Sequence, residues 1–323
     1  MAGETIPFRL AQLTDVHLGP LPPFGLRYWN LKRALGYANW QRKRSAIHLP
    51  QIVAAITADL SQQAADHIAV TGDLVNIGLP DEYVNATRWL TALGTPDEIS
   101  VIPGNHDIYT RLGRDPGIAH WSAYMASDDY GQTVRAQSAI DATTLFPSLR
   151  RFGHIALIGL NSAEPTPPAV ATGRVGEQQL AALGKILDRT GTDGLCRIIM
   201  IHHSPMPGSG GRMRGLVDAS KVVSVLARHG AELIIHGHNH RDETDFIARF
   251  DSVGASIPVI GAASASTAVE HHGEPLARYN IFDVRPEGRS WRITLTTRGL
   301  KAPNGPIGEI AIREVSHATH AKF

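Results

Sequence analysis

Histidine, aspartate and asparagine occur together in short segments of this 323-residue sequence. The segments are residues 15–17, 72–73, 104–107, 202–203 and 237–240. Carboxylate and amide oxygens are hard ligands and imidazole nitrogen is a borderline one, so the set suits zinc, manganese, iron or cobalt. In Asp-x-His and His-x-His, side chains two apart point to the same side of an extended chain, which predicts that both reach one metal ion.

Each segment taken alone also has an ordinary structural explanation. A single Asp-x-His arises often by chance, and a Gly-Asp pair after a strand is commonly only a turn. The histidines at 202–203 and 238–240 are equally compatible with a half-buried core position or a surface loop. Chance does not explain why all the segments follow apolar runs, in this order along the chain. The joint pattern predicts one shared metal site.

Apolar runs alternate with helical patterns in the elements that must position these residues. Strands are predicted at residues 8–13, 67–70, 99–102, 155–160, 197–201 and 233–235. Helices are predicted at residues 49–64, 82–93, 176–189 and 218–229. Asp218 is a candidate N-cap, whereas Gly94 and Gly230 are candidate C-terminal stops. Ligands of open α/β sheets bind where strands end, and Gly72, Gly104 and Gly237 permit tight turns there.

The final third changes character and the composition stays globular. Residues 257–260, 277–284 and 291–297 predict strands joined by Gly/Pro turns, without a long helix between them. Hydrophobic residues make up 43% and charged residues 19%. We therefore expect one α/β domain over residues 1–323, with a basic and aromatic insertion at 20–46 and mainly antiparallel strands at 255–323.

Charge and cysteine usage exclude several classes of protein. The net charge of +1 gives no general basic field, so nucleic acid is not the expected partner. The lone Cys196 excludes a disulfide framework and a CxxC zinc site, and it is predicted to be buried in a strand. Neither a secretory signal nor a transmembrane run is evident, which predicts a cytoplasmic protein with peripheral membrane contact as an open addition.

The ordered blocks Asp-x-His, Gly-Asp, Gly-Asn-His-Asp, His and Gly-His-x-His resemble the calcineurin-like metallophosphoesterase superfamily. The resemblance spans residues 15–240. It implies a four-layer α-β-β-α sandwich of two mixed sheets and a cofactor of two divalent metal ions, which are Mn, Fe or Zn. The implied ligands are Asp15, His17 and His240 for one ion, Asn105, His202 and His238 for the other, and Asp73 for both.

The same resemblance implies a reaction and leaves its substrate open. A hydroxide that bridges the metal ions would attack a phosphodiester or pyrophosphate bond. Asp73, Asn105 and His106 would be the catalytic residues, with His106 donating a proton to the leaving oxygen or stabilising the transition state. We expect a small or lipid-linked phosphate compound as the substrate. A cyclic-nucleotide phosphodiesterase, a DNA nuclease and a non-catalytic membrane-associated scaffold are the alternatives.

Two basic segments bear on the choice of substrate. Residues 26–44 contain basic side chains, Trp29 and Trp40, and no acidic residue. This pattern suits contact with an anionic membrane, contact with single-stranded nucleic acid, or a cap whose charges face solvent. Arg212 and Arg214, in a glycine-rich loop, are candidates for binding a second phosphate or an acidic head group. The pattern does not determine the oligomeric state.

The remaining sequence signals are assigned to structure. Asp107 is expected to orient its loop and not to bind a metal ion. A structural role is predicted for His48, His67, His120, His154 and His229.

Overall fold

The computed structural model describes residues 6–111, 116–250, 255–288 and 290–315. Their strands are β1 (Phe8–Leu13), β2 (His67–Val70), β3 (Ile99–Val101), β4 (Ser148–Phe152), β5 (Ile155–Gly159), β6 (Cys196–Met200), β7 (Leu233–His236), β8 (Glu243–Ala248), β9 (Ser256–Gly261), β10 (Arg278–Glu287), β11 (Ser290–Leu300) and β12 (Ile307–Glu314). The predicted strands are therefore present, with ends that shift by a few residues. The last residues of the predicted C-terminal region, 316–323, lie outside the described residues.

Two mixed sheets of six strands each form the centre of the molecule. The first sheet has the order β12-β11-β10-β1-β2-β3, in which β1, β2 and β3 are parallel and β10 to β12 are antiparallel. The second has the order β4-β5-β6-β7-β9-β8, with parallel central strands and antiparallel edge strands. The antiparallel character of the C-terminal strands is confirmed.

Except for the first, the longer helices cover the outer faces of these sheets. They are α1 (Leu31–Asn39), α2 (Pro50–Ser61), α3 (Pro80–Leu93), α4 (Asp129–Gln137), α5 (Glu177–Thr192) and α6 (Ala219–His229). One buried cluster packs α2 and α3 on the first sheet, and another packs α5 and α6 on the second. A third cluster joins the inner faces of both sheets and contains the buried Cys196. Three hydrophobic layers between four structural layers confirm the predicted sandwich.

Helix ends differ from the predictions at particular residues. Helix α3 begins at Pro80, two residues early, because proline is pre-organised for the first turn. Asp218 stands before α6, but its carboxylate accepts from the backbone N–H groups of Val175 (3.1 Å) and Gly176 (2.8 Å), so it ties another loop down and does not cap its own helix. Gly230 ends α6 with φ 76°, as predicted, whereas Gly94 is extended at φ 168°.

The 20–46 segment lies across the edge where β2 and β3 end. Helix α1 begins after Asn30, whose side chain accepts from the Arg33 backbone N–H at 2.9 Å. A π-helical turn, Trp40–Arg44, follows α1. Phe24, Tyr28 and Tyr37 pack on a small apolar cluster of Ile77, Leu79 and Tyr109. Within the described residues, no helix combines the length and the apolar character needed to cross a membrane.

Candidate metal centre

The carboxyl ends of β1, β2 and β3 in one sheet meet those of β6 and β7 in the other. The sheets are joined there by hydrogen bonds from the Gln12 amide to the His236 carbonyl (2.9 Å) and from the His202 ring to the Thr71 carbonyl (2.7 Å). Ligand atoms of Asp15, Asp73 and His202 lie within 4.8 Å of one another. Residues distant in sequence therefore converge at one edge, as Asp-x-His and the later blocks predict.

The convergent side chains form two groups that share Asp73. In the first, His240 Nε2 lies 3.1 Å from Asp15 Oδ1 and 3.3 Å from His17 Nε2. In the second, Asn105 Oδ1 lies 3.2 Å from His202 Nε2 and 2.8 Å from His238 Nδ1. Asp73 Oδ2 is 3.9 Å from His17 Nε2 and 3.5 Å from His202 Nε2. The structure thus brings together every residue that the sequence proposed as a ligand.

The histidine rings are held from outside by hydrogen-bond acceptors. An imidazole nitrogen that faces a carbonyl or carboxylate oxygen carries the proton, so its other nitrogen presents a lone pair to the centre. The pairs are His17 with Val75 O (3.3 Å), His202 with Thr71 O (2.7 Å), His238 with Arg214 O (2.8 Å) and His240 with Glu274 Oε2 (2.9 Å). The outer bonds assign the tautomers and aim the lone pairs inward.

This donor set fits divalent metal ions. With their Nδ1 atoms protonated, His17 and His240 face each other through Nε2 lone pairs at 3.3 Å. Two acceptors at hydrogen-bonding distance repel unless a cation, either a proton or a metal ion, lies between or beside them. Asp15 and Asp73 supply two buried carboxylates, and Asn105 supplies a neutral amide oxygen. Nitrogen and oxygen donors of this kind are typical ligands of zinc, manganese and iron.

The electrostatics of the centre also favour added positive charge. Burial opposes ionisation of Asp73, yet the imidazoles of His202 and His106 hold the pKa of this carboxyl well below its usual range. Burial likewise opposes protonation of His202 and His240. Asp73 nevertheless raises the pKa of His202 to about 9, and Asp15 raises that of His240 to about 9. The carboxylates thus favour positive charge at a buried site.

The backbone of the centre is left-handed where an extended chain was expected. Positive φ angles occur at Asp15 (51°), His17 (41°), Asp73 (58°), His238 (69°) and His240 (53°). The expectation of an extended Asp-x-His and His-x-His is therefore wrong. The chain turns directly after β1, because the N–H groups of Asp15 and His17 bond to the carbonyls of Gly72 (2.9 Å) and Asp73 (3.0 Å). Non-glycine residues at positive φ are uncommon and cluster at functional sites.

The three glycines of the centre are needed mainly for space. Gly72 has φ 98°, but no positive φ is found at Gly104 or Gly237. A Cβ at Gly104 would lie 2.7 Å from His202 Cε1, and one at Gly237 would lie 2.6 Å from Asp15 Oδ2. These contacts are closer than real Cβ atoms make, so the backbone itself lies against the candidate ligands.

Two buried carboxylates position the loops after β2 and β3. Asp107 accepts from the backbone N–H groups of Asp73 (2.8 Å), Leu74 (2.9 Å) and Gly104 (2.8 Å), which gives it the orienting role expected of it. Burial and the nearby Asp73 raise the pKa of Asp107 to about 7. Glu82, in the first turn of α3, accepts from the backbone N–H groups of the loop that precedes this helix, at positions 76, 77 and 79.

His106 lies between the centre and the 20–46 segment. Its backbone N–H donates to Asp73 Oδ1 at 2.7 Å, and its ring Nδ1 faces the Asn76 carbonyl. The Arg44 guanidinium donates to His106 Nε2 at 2.9 Å. Burial and Arg44 lower the pKa of His106 to about 4. In this arrangement Nε2 of His106 accepts the hydrogen bond from Arg44, and the proton donation expected of His106 stays a prediction.

Three residues at the centre were not anticipated from the sequence. Arg44 appeared only as one charge in a basic run. His48 was predicted to be structural, but its ring lies 4.7 Å from that of His17, and its ligand atom joins those of His17 and His240 within 4.8 Å. Glu274 bonds to the His240 ring from a separate turn. No local pattern marked any of them, because each becomes significant only through residues distant in sequence.

Two cavities adjoin the centre, with volumes of about 350 and 250 Å³. Arg214 lines both and donates to the His238 carbonyl at 2.9 Å. Arg212 is exposed and lines neither cavity. Of the two arginines proposed for substrate binding, only Arg214 therefore faces the centre. His271 lines the larger cavity and lies 3.2 Å from Glu274.

Comparisons with known proteins agree with this geometry. The family model for calcineurin-like phosphoesterase matches residues 8–242. A probable cyclic nucleotide phosphodiesterase of Synechococcus is 26% identical over 294 residues, which cover 90% of this chain and 92% of that protein. A dimetal phosphatase from Danio rerio superposes with a TM-score of 0.60 at 13% identity, covering 97% of this chain and 100% of the other.

A purple acid phosphatase from yellow lupin seeds superposes with a TM-score of 0.58 at 11% identity, covering 98% of this chain and 55% of the other. These two structures share the fold. The family match extends from β1 to the residues that follow the last candidate ligand, His240. The chain therefore belongs to the calcineurin-like phosphoesterase family and is a metal-dependent phosphoric ester hydrolase.

Proposed function

We propose that the chain hydrolyses a phosphodiester or pyrophosphate bond in a small phosphate compound at a centre of two divalent metal ions. The observation that carries this proposal is the convergence of four outward-anchored imidazoles, an amide oxygen and two buried carboxylates. One ion would be held by Asp15, His17 and His240, the other by Asn105, His202 and His238, and both by Asp73. Bound there, the ions would bind phosphoryl oxygens and lower the pKa of a water molecule to supply the nucleophile near neutral pH.

The chain's own groups provide the rest of the chemistry. Arg44 and Arg214 line the larger cavity together with the carboxylates of Asp73 and Glu274, whereas Asp15 lines neither cavity. The two arginines therefore offset the negative charge of these carboxylates where an anionic ester approaches, and the metal ions would add positive charge there. His106 accepts from Arg44 and holds its guanidinium beside the centre, where it can donate to a phosphoryl or leaving oxygen.

The substrate has a second candidate besides a pyrophosphate compound. The Synechococcus relative carries the name of a probable cyclic nucleotide phosphodiesterase and matches nearly all of this chain. We therefore propose cyclic nucleotides as the alternative substrate class. A cyclic nucleotide presents one phosphate, so comparison with a pyrophosphate substrate separates the two candidates directly.

Peripheral contact with an anionic membrane is a further part of the proposal. Large apolar side chains are exposed along the 20–46 segment, where Leu26 is 88%, Leu31 69% and Trp29 41% exposed. Arg27 and Arg42 lie exposed on the same segment. Exposed apolar and basic side chains together are typical of a surface that binds anionic lipid. Such contact would bring a lipid-linked substrate to the cavity beside α1.

The hydrolytic function is tested with bis(p-nitrophenyl) phosphate beside p-nitrophenyl phosphate, with Mn²⁺ and again after chelation. We expect cleavage of the diester that chelation abolishes and that Asn105→Ala reduces strongly. Asn85→Ala, at an exposed position on α3, is the matched control and should retain the wild-type rate. Metal-loaded protein that cleaves neither this diester, nor a cyclic nucleotide, nor a dinucleoside diphosphate would contradict the proposal.

A further inference from the structure

The smaller of the two cavities, about 250 Å³, lies between the metal centre and α1. Its lining includes Lys32, Arg44 and Arg214, and no carboxylate side chain from the described part of the chain contributes to it. Asn105 and His106 form its inner end, so it opens directly onto the centre. A cavity with several cations and no acidic lining is complementary to an anion.

Arg44 is the cation nearest the centre. Its guanidinium donates to His106 Nε2 at 2.9 Å, and among the described residues it forms no ion pair with a carboxylate. Burial opposes its charge, so its pKa is lowered from the usual value. A partly buried guanidinium held by one neutral acceptor keeps further N–H donors for a ligand, because guanidinium carries five of them.

Lys32 is the second cation and lies farther out. Its Nζ donates to Thr166 Oγ1 at 2.9 Å and stands 4.5 Å from the Tyr109 ring centroid. The Tyr109 ring in turn stacks against the His106 ring, with centroids 5.5 Å apart. Lys32 also lacks a carboxylate partner within the described ranges. Arg44 and Lys32 therefore line one cavity and are connected through the stacked rings of His106 and Tyr109.

Partial burial of unpaired cations costs free energy that an anionic ligand would recover. We infer that this cavity binds a second phosphate on the leaving-group side of the substrate, so that the substrate is a pyrophosphate-linked compound. The inference rests on the proposed hydrolytic function.

The reaction is then a hydrolysis that consumes one water molecule. The water oxygen forms a bond to one phosphorus, the bridging P–O bond breaks, and its electron pair leaves with the second phosphate. Both products are phosphate monoesters, and the two protons of the water are taken up by the product oxygens or released to solvent. Arg44 and Lys32 would stabilise the negative charge that develops on the departing phosphate.

The test compares two inhibitors of the Mn²⁺-loaded enzyme, with bis(p-nitrophenyl) phosphate as the reporter substrate. Methylenediphosphonate carries two phosphonates and methylphosphonate one. We expect the diphosphonate to bind the wild type about 30-fold more tightly, since hydrogen bonds to charged groups contribute 10- to 100-fold. The ratio should fall below about threefold in Lys32→Met and in Arg44→Gln.

The control is Arg42→Gln, which removes an exposed charge of the same segment that lines neither cavity and should keep the wild-type ratio. Metal content is measured after inhibition, so that chelation is separated from binding. If Lys32→Met unfolds, Lys32→Gln replaces it. A second arm compares kcat/KM for a dinucleoside diphosphate with that for cyclic AMP, and we expect the first to be larger and to lose its advantage in both cavity variants.

The outcomes separate the two proposals. No cleavage of any ester by metal-loaded protein contradicts the proposed function itself. Cleavage of the reporter, together with equal inhibition by the two phosphonates, contradicts the second-phosphate site alone. An equal fall of the ratio in Lys32→Met and Arg42→Gln also contradicts it, because general charge and not the cavity would then determine binding.

Discussion

The metal centre lies at the edge where the strands end, and the 20–46 segment meets it at His106. The two regions are built differently. At the edge, Asp15 and Asp73 are buried and left-handed, and backbone bonds hold them directly after strands. In the 20–46 segment, the role of each long basic side chain depends on whether it points toward the protein or toward solvent. Arg33 turns inward and donates to the carbonyls of Ile77 and Gly78, so it anchors α1 to the loop after β2.

The other basic side chains of the segment divide between two environments. Lys32 and Arg44 line the small cavity, whereas Arg27 and Arg42 face solvent. The three interpretations offered from the sequence each treated the run as one surface. Compared with the strand ends, this shows that a motif directly after a strand predicts where its side chains lie. A run of basic residues does not predict this. Long flexible side chains on a short helix reach inward or outward according to what packs beside them.

The largest expected effect lies at the strand ends. Asp73→Asn should lower the rate of diester hydrolysis roughly 1000-fold, because Asp73 faces both groups of ligands and metal ions supply several kcal/mol of transition-state stabilisation. The metal content per chain, measured by mass spectrometry of the elements, should fall with it. Asp188→Asn, at an exposed site, is the matched control. An Asp73→Asn variant with unchanged metal content and rate would contradict the assignment of metal binding to the strand ends.

A smaller effect is expected one layer outside the centre. Glu274→Ala removes the acceptor of the His240 Nδ1–H, so the ring is no longer oriented toward Asp15. Loss of such outer partners typically reduces metal affinity or activity 10- to 100-fold. Competition with a metal-binding dye measures the affinity. An unchanged value would show that Asp15 alone orients the ring.

The affinity of the small cavity for a diphosphonate should depend on pH because of Lys32. Burial lowers the pKa of Lys32 to about 8, so this side chain is charged below pH 8 and neutral above it. Diphosphonate affinity should therefore weaken about tenfold as pH rises through 8, more steeply than in Lys32→Arg, whose guanidinium stays charged. Inhibition constants at pH 7, 8 and 9 for both proteins provide the measurement. Parallel profiles would exclude Lys32 from the binding site.

The smallest expected effect is at the exposed face of the segment. Leu31→Ser changes a residue that is 69% exposed, so the unfolding free energy should stay within about 0.5 kcal/mol and hydrolysis of the soluble diester within twofold. Sedimentation with vesicles of anionic phospholipid should decrease if this face contacts a membrane. Equal sedimentation of variant and wild type would remove the membrane contact from the proposal.

Features of the fold and of the metal centre were predictable from the sequence where they depend on residues close together in the chain. β1 and the helix at Glu177–Thr192 follow from apolar periodicity, which a short window of residues contains. The ligand types at Asp15, Asn105 and His202 follow from the residues that come directly after strands. The left-handed backbone at Asp15 was not predictable, because it depends on hydrogen bonds to the loop after another strand.

The donor types, their order and the strands that they follow could be predicted from the amino-acid sequence, since these are properties of neighbouring residues. The sequence also predicted the buried Cys196 and the antiparallel C-terminal strands. The packing of distant elements was needed to show that Arg44, His48 and Glu274 border the centre and that Arg212 does not. The physical reason is that contacts between residues far apart in the chain depend on how two sheets and a short helix pack, and side-chain direction is settled by that packing alone.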